Sequence, residues 1–297
     1  MDFISPQKNS ATLEEVDIKI IKDIEEMRER SEEMRRASKR IAFVPTMGYL
    51  HDGHLSLVQI GKEHADDLVV SIFVNPTQFG PAEDLDKYPR NLERDLDLLK
   101  KAGVDAVFTP EAKAMYGDNF QTYVNLERLP AHLCGISRPV FFRGVATIVT
   151  KLFHIVKPHE AIFGEKDFQQ LQVIRRLVKD LDFGIEIVGG PTVREPDGLA
   201  MSSRNAYLSP DERPAALSLY RSLVLAKEIA AKGERRSAAI ISEARKLIGG
   251  FHNAKIDYIS IFDPDTFEAP ETVKEHTRMA LAVWVGKARL IDNMAIN

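Results

Sequence analysis

Apolar and polar positions along the chain alternate between two periods. The run Leu68-Val69-Val70-Ser71-Ile72-Phe73-Val74 is almost continuously apolar, the mark of a strand buried on both faces. Similar runs predict strands over residues 40–44, 68–74, 106–108, 161–163 and 185–188. Between or beside them, helical spacing of apolar residues predicts helices over 54–65, 91–102, 144–156 and 168–181. A first helix is expected over 17–39, where Ile20, Ile21, Ile24 and Met27 form a stripe beside a charge-rich, solvated face. Residues 121–126 read as a further edge strand. Strands alternating with helices at this spacing imply right-handed crossovers, hence an α/β chain with a Rossmann-like doubly wound parallel sheet.

From about residue 191 the pattern changes. A polar loop bearing proline and glycine runs to 209, then helices are expected over 211–232 and 238–251 and strands over 256–262, 279–285 and 288–291. A helical pair with a small, mostly antiparallel sheet is a smaller C-terminal α+β domain. The expected division is therefore 1–191 and 192–297, and a chain of 297 residues is long enough for both.

Composition narrows the partners. At 44% hydrophobic and 28% charged, the chain has the make-up of a globular protein. A net charge of −4 argues against a nucleic-acid backbone partner, while leaving room for a local basic pocket. The single cysteine, Cys134, rules out an intramolecular disulfide and a multi-thiolate zinc site, and reads as a small buried apolar residue. No stretch approaches the roughly 20 apolar residues of a bilayer span, and the mixed, polar first ten residues do not resemble a signal peptide, so a cytoplasmic protein without a membrane partner is expected.

The sharp chemistry sits just beyond the strands. Met47-Gly48-Tyr49-Leu50-His51-Asp52-Gly53-His54 follows the first strong strand and opens a helix. Unpaired N–H groups and the positive end of the helix dipole suit phosphate there, and the two imidazoles share a face. Asn75 and Gln78 follow the second strand, on a turn stiffened by Pro76. Gly164-Glu165-Lys166-Asp167 follows a later one, with Gln170 on the same face as Lys166. A lysine at a helix start opposes the dipole, which favours a functional reason for it. Met201-Ser202-Ser203-Arg204-Asn205 lies in the long interdomain loop, where hydroxyls and a guanidinium supply donors for a polyphosphate on a lid-like segment. Arg143 adds a cation at another helix start.

Absences exclude other chemistries. There is no G-x-x-x-x-G-K-[ST], no G-x-G-x-x-G after the first strand and no G-x-S-x-G elbow. Catalysis then rests on positioning and charge stabilisation.

A strand, H-x-G-H and a Ser-Ser-Arg loop together resemble the nucleotidyltransferase superfamily that includes class I aminoacyl-tRNA synthetases. More closely, Pro45-Thr46-Met47-Gly48 with His51-Asp52-Gly53-His54, Phe73-Val74-Asn75-Pro76 with Gln78-Phe79, Phe163-Gly164-Glu165-Lys166-Asp167 with Gln169-Gln170, Ser202-Ser203-Arg204-Asn205 and Ala288-Arg289-Leu290-Ile291-Asp292-Asn293 resemble the pantothenate synthetase (pantoate–β-alanine ligase) family. The resemblance implies condensation of pantoate with β-alanine through a pantoyl adenylate, with ATP as co-substrate and Mg²⁺ held mostly by the triphosphate. It implies an ATP site at residues 47–54, Gly164, Glu165, Lys166, Asp167, Val193, Met201, Ser202, Ser203 and Arg204. His54, His51, Lys166, Ser202 and Arg204 become the catalytic set, with His54 stabilising phosphate charge. Gln78, Gln170, Asn75 and Arg143 become candidates for substrate, and Asp95 for a carboxylate near Mg²⁺. A homodimer is also implied. Where the family commonly reads Pro-Gly-His-Phe-Arg-Gly, this chain has Pro139-Val140-Phe141-Phe142-Arg143-Gly144, and residues 1–16 lie outside the resemblance.

Two other readings remain open at this point. One is a nucleotidyltransferase that stops at a nucleotide-linked product, although Gln78 and Gln170 suit a polyhydroxy acid better than a phosphate ester. The other is a nucleotide-binding regulatory protein, which retention of His51, His54, Lys166, Ser202 and Arg204 disfavours.

Overall fold

The computed structural model describes residues 18–81 and 83–297, so the leader expected over residues 1–16 lies outside the described residues. Six strands, β1 (Lys19–Ile21), β2 (Ile41–Thr46), β3 (Asp67–Ile72), β4 (Ala106–Phe108), β5 (Glu160–Gly164) and β6 (Glu186–Gly190), form a parallel sheet in the order β1-β4-β3-β2-β5-β6. The helices over this half are α1 (Ile24–Arg36), α2 (Asp52–His64), α3 (Leu92–Ala102), the single turns α4 (Ala112–Met115) and α5 (Cys134–Ser137), then α6 (Phe141–Val156) and α7 (Phe168–Asp180).

Both faces of the sheet are covered, which is why its strands read as continuous apolar runs. Ile41, Phe43, Val69 and Phe108 pack with Met27 of α1, Ile148 and Leu152 of α6 and Leu171 of α7. The alternate residues Ala42, Val44, Leu68 and Val70 pack with Leu57 and Val58 of α2 and Leu99 of α3. Each fully buried side chain the size of valine or larger contributes about 1.5–3 kcal/mol.

Two expected elements are corrected. The first helix begins only at Ile24, because the Asp23 side chain caps it by accepting the Glu26 N–H at 3.0 Å. The preceding residues are extended, with Ile21 buried and Ile20 45% exposed, and they pair with β4 from Lys19↔Ala106 to Ile21↔Phe108. That pairing takes the sheet edge. Residues 121–126 are irregular instead of a strand, and the Val124 N–H donates to Thr147 Oγ1 on α6 at 3.0 Å.

The second half carries α8 (Arg213–Ala231) and α9 (Ser237–Gly249) against an antiparallel sheet of β7 (Ala254–Phe262), β8 (Arg278–Val285) and β9 (Ala288–Ala295). Met279, Leu281, Val283 and Val285 face the helices. Ala280 on the other face packs with Phe262, Phe267 and Phe168, the first residue of α7, and so joins the small sheet to that helix. Arg289 of β9 reaches across to Asp257 at 2.6 Å, Ser137 Oγ at 3.2 Å and the buried Cys134 Sγ at 3.2 Å. Among the described residues no helix is long and apolar enough to cross a membrane.

The sheet order reverses at β2. That strand pairs with β3 along its whole length but with β5 only at Ala42↔Glu160 and Phe43↔Ala161. The carboxyl ends of β2 and β5 therefore part, opening the crevice at which doubly wound sheets bind ligands.

Candidate active site

The turn leaving β2 can be made only with glycine at its apex. Gly48 has φ +81°, and a Cβ there would lie 2.9 Å from Ile72 Cγ2 and 3.1 Å from Asp95 Oδ2. Helix α3 holds this turn from behind. Asp95 accepts the Tyr49 N–H at 2.7 Å and the Leu50 N–H at 2.8 Å, while Arg94 donates to the Leu50 carbonyl at 2.9 Å. Asp95 is 1% exposed with both oxygens engaged, and burial pushes its carboxyl above the usual range. Asp95 is thus the clamp of this turn.

His51 is the N-cap residue of α2 and His54 lies one turn later, their ring centroids 4.1 Å apart. The His51 N–H donates to His54 Nδ1 at 3.4 Å, which leaves the proton of a neutral His54 on Nε2. Gly53 makes room for this pair, since a Cβ there would sit 3.0 Å from the His51 ring. Burial first, and then the Lys166 ammonium, lower His51 to about 4. Burial, then His51 and Lys166, lower His54 to about 3. His51 Nδ1 is buried with no hydrogen-bond partner among the described residues.

Across the crevice, Gly164 ends β5, residues Glu165–Asp167 make a 3-10 turn and α7 follows. Lys166 Nζ lies 3.9 Å from Asp167. The turn is pinned from β9, where the Asn293 amide donates to the Glu165 and Lys166 carbonyls, both at 2.9 Å, and accepts from Arg278 at 2.7 Å. Gln170 lines the cleft. Gln169 instead points inward, accepting the Cys134 N–H and donating to the Leu129 and His132 carbonyls.

A third wall begins after β3. Asn75 Nδ2 donates to Gln78 Oε1 at 3.0 Å and to the Gly144 carbonyl at 3.1 Å. The close approach of α6 needs Gly144, because a Cβ there would lie 2.3 Å from the Thr77 carbonyl oxygen. Gln78 Nε2 is left to donate to Met47 Sδ at 3.0 Å, at the cleft wall. The loop carrying Met201, Ser202, Ser203 and Arg204 lines a further side of the cleft. Ser203 Oγ donates to the Tyr49 carbonyl at 3.2 Å, and Arg204 pairs with Asp84 at 2.9 and 3.0 Å. Beside it, Arg138 pairs with both oxygens of Glu83 at 2.7 Å and lies 3.8 Å over the Phe141 ring. Phe141, where the resembled family commonly has histidine, thus seats a guanidinium.

The resulting cleft holds about 1160 Å³ and is lined by Met47, His51, Gly53, His54, Asn75, Gln78, Gly164, Lys166, Asp167, Gln170, Val193, Met201, Ser202, Ser203 and Arg204. Several expected site residues stand elsewhere. Gly48, Tyr49 and Glu165 shape the turns behind the wall; Leu50 is 1% exposed in the core, and Asp52 is exposed in the first turn of α2. Asn75 borders the cleft with its amide engaged by Gln78, the Gly144 carbonyl and Tyr116. Arg143 is exposed, its guanidinium 4.8 Å over the Tyr123 ring, and is not a cleft residue. Arg138, Glu83 and Asp84 were missed, since their pairing depends on loops brought together by the fold; the adjacent acids after Gly80-Pro81 were the one local signal. Among the described residues no three His, Cys, Asp or Glu side chains are grouped to hold a metal ion.

The family model described as pantoate-beta-alanine ligase matches residues 19–295. The chain is 61% identical to pantothenate synthetase of Desulfatibacillum aliphaticivorans over 279 residues, covering 94% of this chain and 99% of that one. It is 56% identical to the Thermotoga petrophila enzyme over 276 residues, covering 93% and 99%. In structure it is similar to pantothenate synthetase from Thermus thermophilus, with TM-score 0.89 and 44% identity over 94% of this chain and 99% of that one. It is also similar to pantoate-beta-alanine ligase from Francisella tularensis, described as complexed with beta-gamma ATP and beta-alanine, with TM-score 0.78 and 34% identity over 94% and 98%.

Proposed function

The chain belongs to the pantoate–β-alanine ligase family, and on that premise we propose that it condenses pantoate with β-alanine through a pantoyl adenylate, releasing AMP and pyrophosphate. The pantoate carboxylate attacks the α-phosphorus of ATP, pyrophosphate leaves, and the β-alanine amine then displaces AMP from the acyl carbonyl. The observation that carries this reading is the pair of neutral imidazoles at the start of α2, facing the same switch-point crevice as Lys166, with Gln78 and Gln170 on the cleft wall.

Each group has a role that its chemistry suits. His54 donates from Nε2 to a phosphate oxygen, and as a neutral ring it does so without the cost of burying another cation beside Lys166. Lys166, Ser202 and Arg204 stabilise the charge that builds on pyrophosphate as it leaves. Gln78 and Gln170 orient the hydroxy acid, so that attack is effectively intramolecular. Arg204 must exchange Asp84 for phosphate to take part. Mg²⁺ arriving with ATP would supply charge neutralisation on the triphosphate, and among the described residues no three His, Cys, Asp or Glu side chains are grouped that would hold it apart from the nucleotide.

Pyrophosphate release measured with MgATP and pantoate, with and without β-alanine, tests the proposal when product masses are followed in parallel. Turnover that needs both acids and yields pantothenate and AMP supports it. Sustained pyrophosphate release with a nucleotide-linked product and no need for an amine would favour the nucleotidyltransferase reading. No ATP consumption would favour a regulatory nucleotide binder.

A further inference from the structure

Behind the acid-binding wall stands a tyrosine that is not among the residues lining the cleft. Tyr116 follows α4, and its ring packs edge-on against Phe120 with centroids 4.9 Å apart. Its hydroxyl donates to Asn75 Oδ1 at 2.7 Å, the shortest bond that the Asn75 side chain makes. The Thr77 N–H and Thr77 Oγ1 reach the same oxygen at 3.3 and 3.0 Å. On the other side of that amide, Nδ2 donates to the Gly144 carbonyl and to Gln78 Oε1.

The backbone groups fix which end of the Asn75 amide is oxygen, since the Thr77 N–H can only donate and the Gly144 carbonyl can only accept. Neither contact is short. The Tyr116 hydroxyl supplies the tight one, and with it the place of the amide plane. We propose that Tyr116 is a positioning residue for the acid substrate: by holding Asn75, it makes Gln78 spend its carbonyl internally and present its NH₂ to the cleft. The wall then offers a donor, matched to the carboxylate or hydroxyl oxygens of a hydroxy acid and mismatched to an amine. Burial raises the Tyr116 hydroxyl to about 12, so it remains a donor at every pH at which the protein works. The relay rests on the reading of Gln78 as a pantoate contact.

Tyr116→Phe removes the hydroxyl and keeps the ring in its aromatic cluster. Phe120→Leu perturbs the same cluster and leaves the hydroxyl. Pantoate-dependent ATP–pyrophosphate exchange should show, for Tyr116→Phe, a pantoate KM raised about 5- to 10-fold with the ATP KM unchanged, in keeping with one lost hydrogen bond. Phe120→Leu should lower the melting temperature while leaving both KM values in place. A wild-type pantoate KM in Tyr116→Phe overturns the relay, as does an equal rise in Phe120→Leu or a parallel rise in both KM values. Absence of pantoate-dependent exchange in the unaltered protein would be a different failure, that of the pantoate reading itself, and the relay would fall with it.

Discussion

His51 and His54 lose proton affinity to burial and to the Lys166 ammonium, so at neutral pH both are uncharged hydrogen-bonding groups. The sign of the linkage follows. The unfolded chain protonates these rings as pH falls through about 6.5, while the folded chain resists until about 4 and 3. Their contribution to stability is therefore complete above about pH 6.5 and is lost progressively as pH falls towards 3. Melting temperature recorded against pH should fall less steeply below 6.5 in His54→Asn than in the wild type, and equal slopes would contradict the assignment. Lys166 lines the cleft without supporting the core, so Lys166→Ala should melt near the wild-type temperature yet form adenylate about 10²- to 10³-fold more slowly if the proposed role holds. Full pantoate-dependent exchange in that variant would remove Lys166 from the reaction. These residues were legible because each stands just after an apolar strand. The clamp that Asp95 forms was not legible, because nothing local marks a carboxylate as the acceptor of N–H groups 45 and 46 residues away.

At the scale of elements, the buried strands and amphipathic helices were readable to within a few residues, since burial on two faces leaves a strong pattern. The exceptions were short or marginal. β1 has three residues, and its isoleucines merged with the stripe of α1. Residues 121–126 have a strand-like look, but the segment packs along α6 and pairs with no strand. The contribution of β9 to the site was visible as a motif without a role; the structure supplies one in Asn293. Asn293→Ala leaves two carbonyls of the Lys166 turn without their partner, at a cost of about 1–3 kcal/mol each if they remain buried. Adenylate formation should fall by at least about 10-fold, alongside a lower melting temperature. A variant that melts lower with unchanged exchange would show that β9 supports the fold alone.

Across the whole molecule, the crevice comes from topology and its roof from loops. Order reversal at β2 fixed the position of the site in advance, whereas the roof pairs Arg204 with Asp84 and Arg138 with Glu83, contacts that only the assembled chain creates. With MgATP and pantoate bound, residues 192–209 should exchange amide hydrogens more slowly, as the loop seals a labile anhydride from water. Unchanged exchange there would contradict a closing role.

The link from Asn293 to the carbonyl of Lys166 spans 127 residues of sequence. Chains emerge from the ribosome at about 5–20 residues per second, and amino-terminal domains fold first. During translation the Lys166 turn is therefore synthesised roughly ten seconds before the Asn293 side chain that holds its carbonyls. In that interval the turn has two carbonyls without the partner that the finished fold gives them.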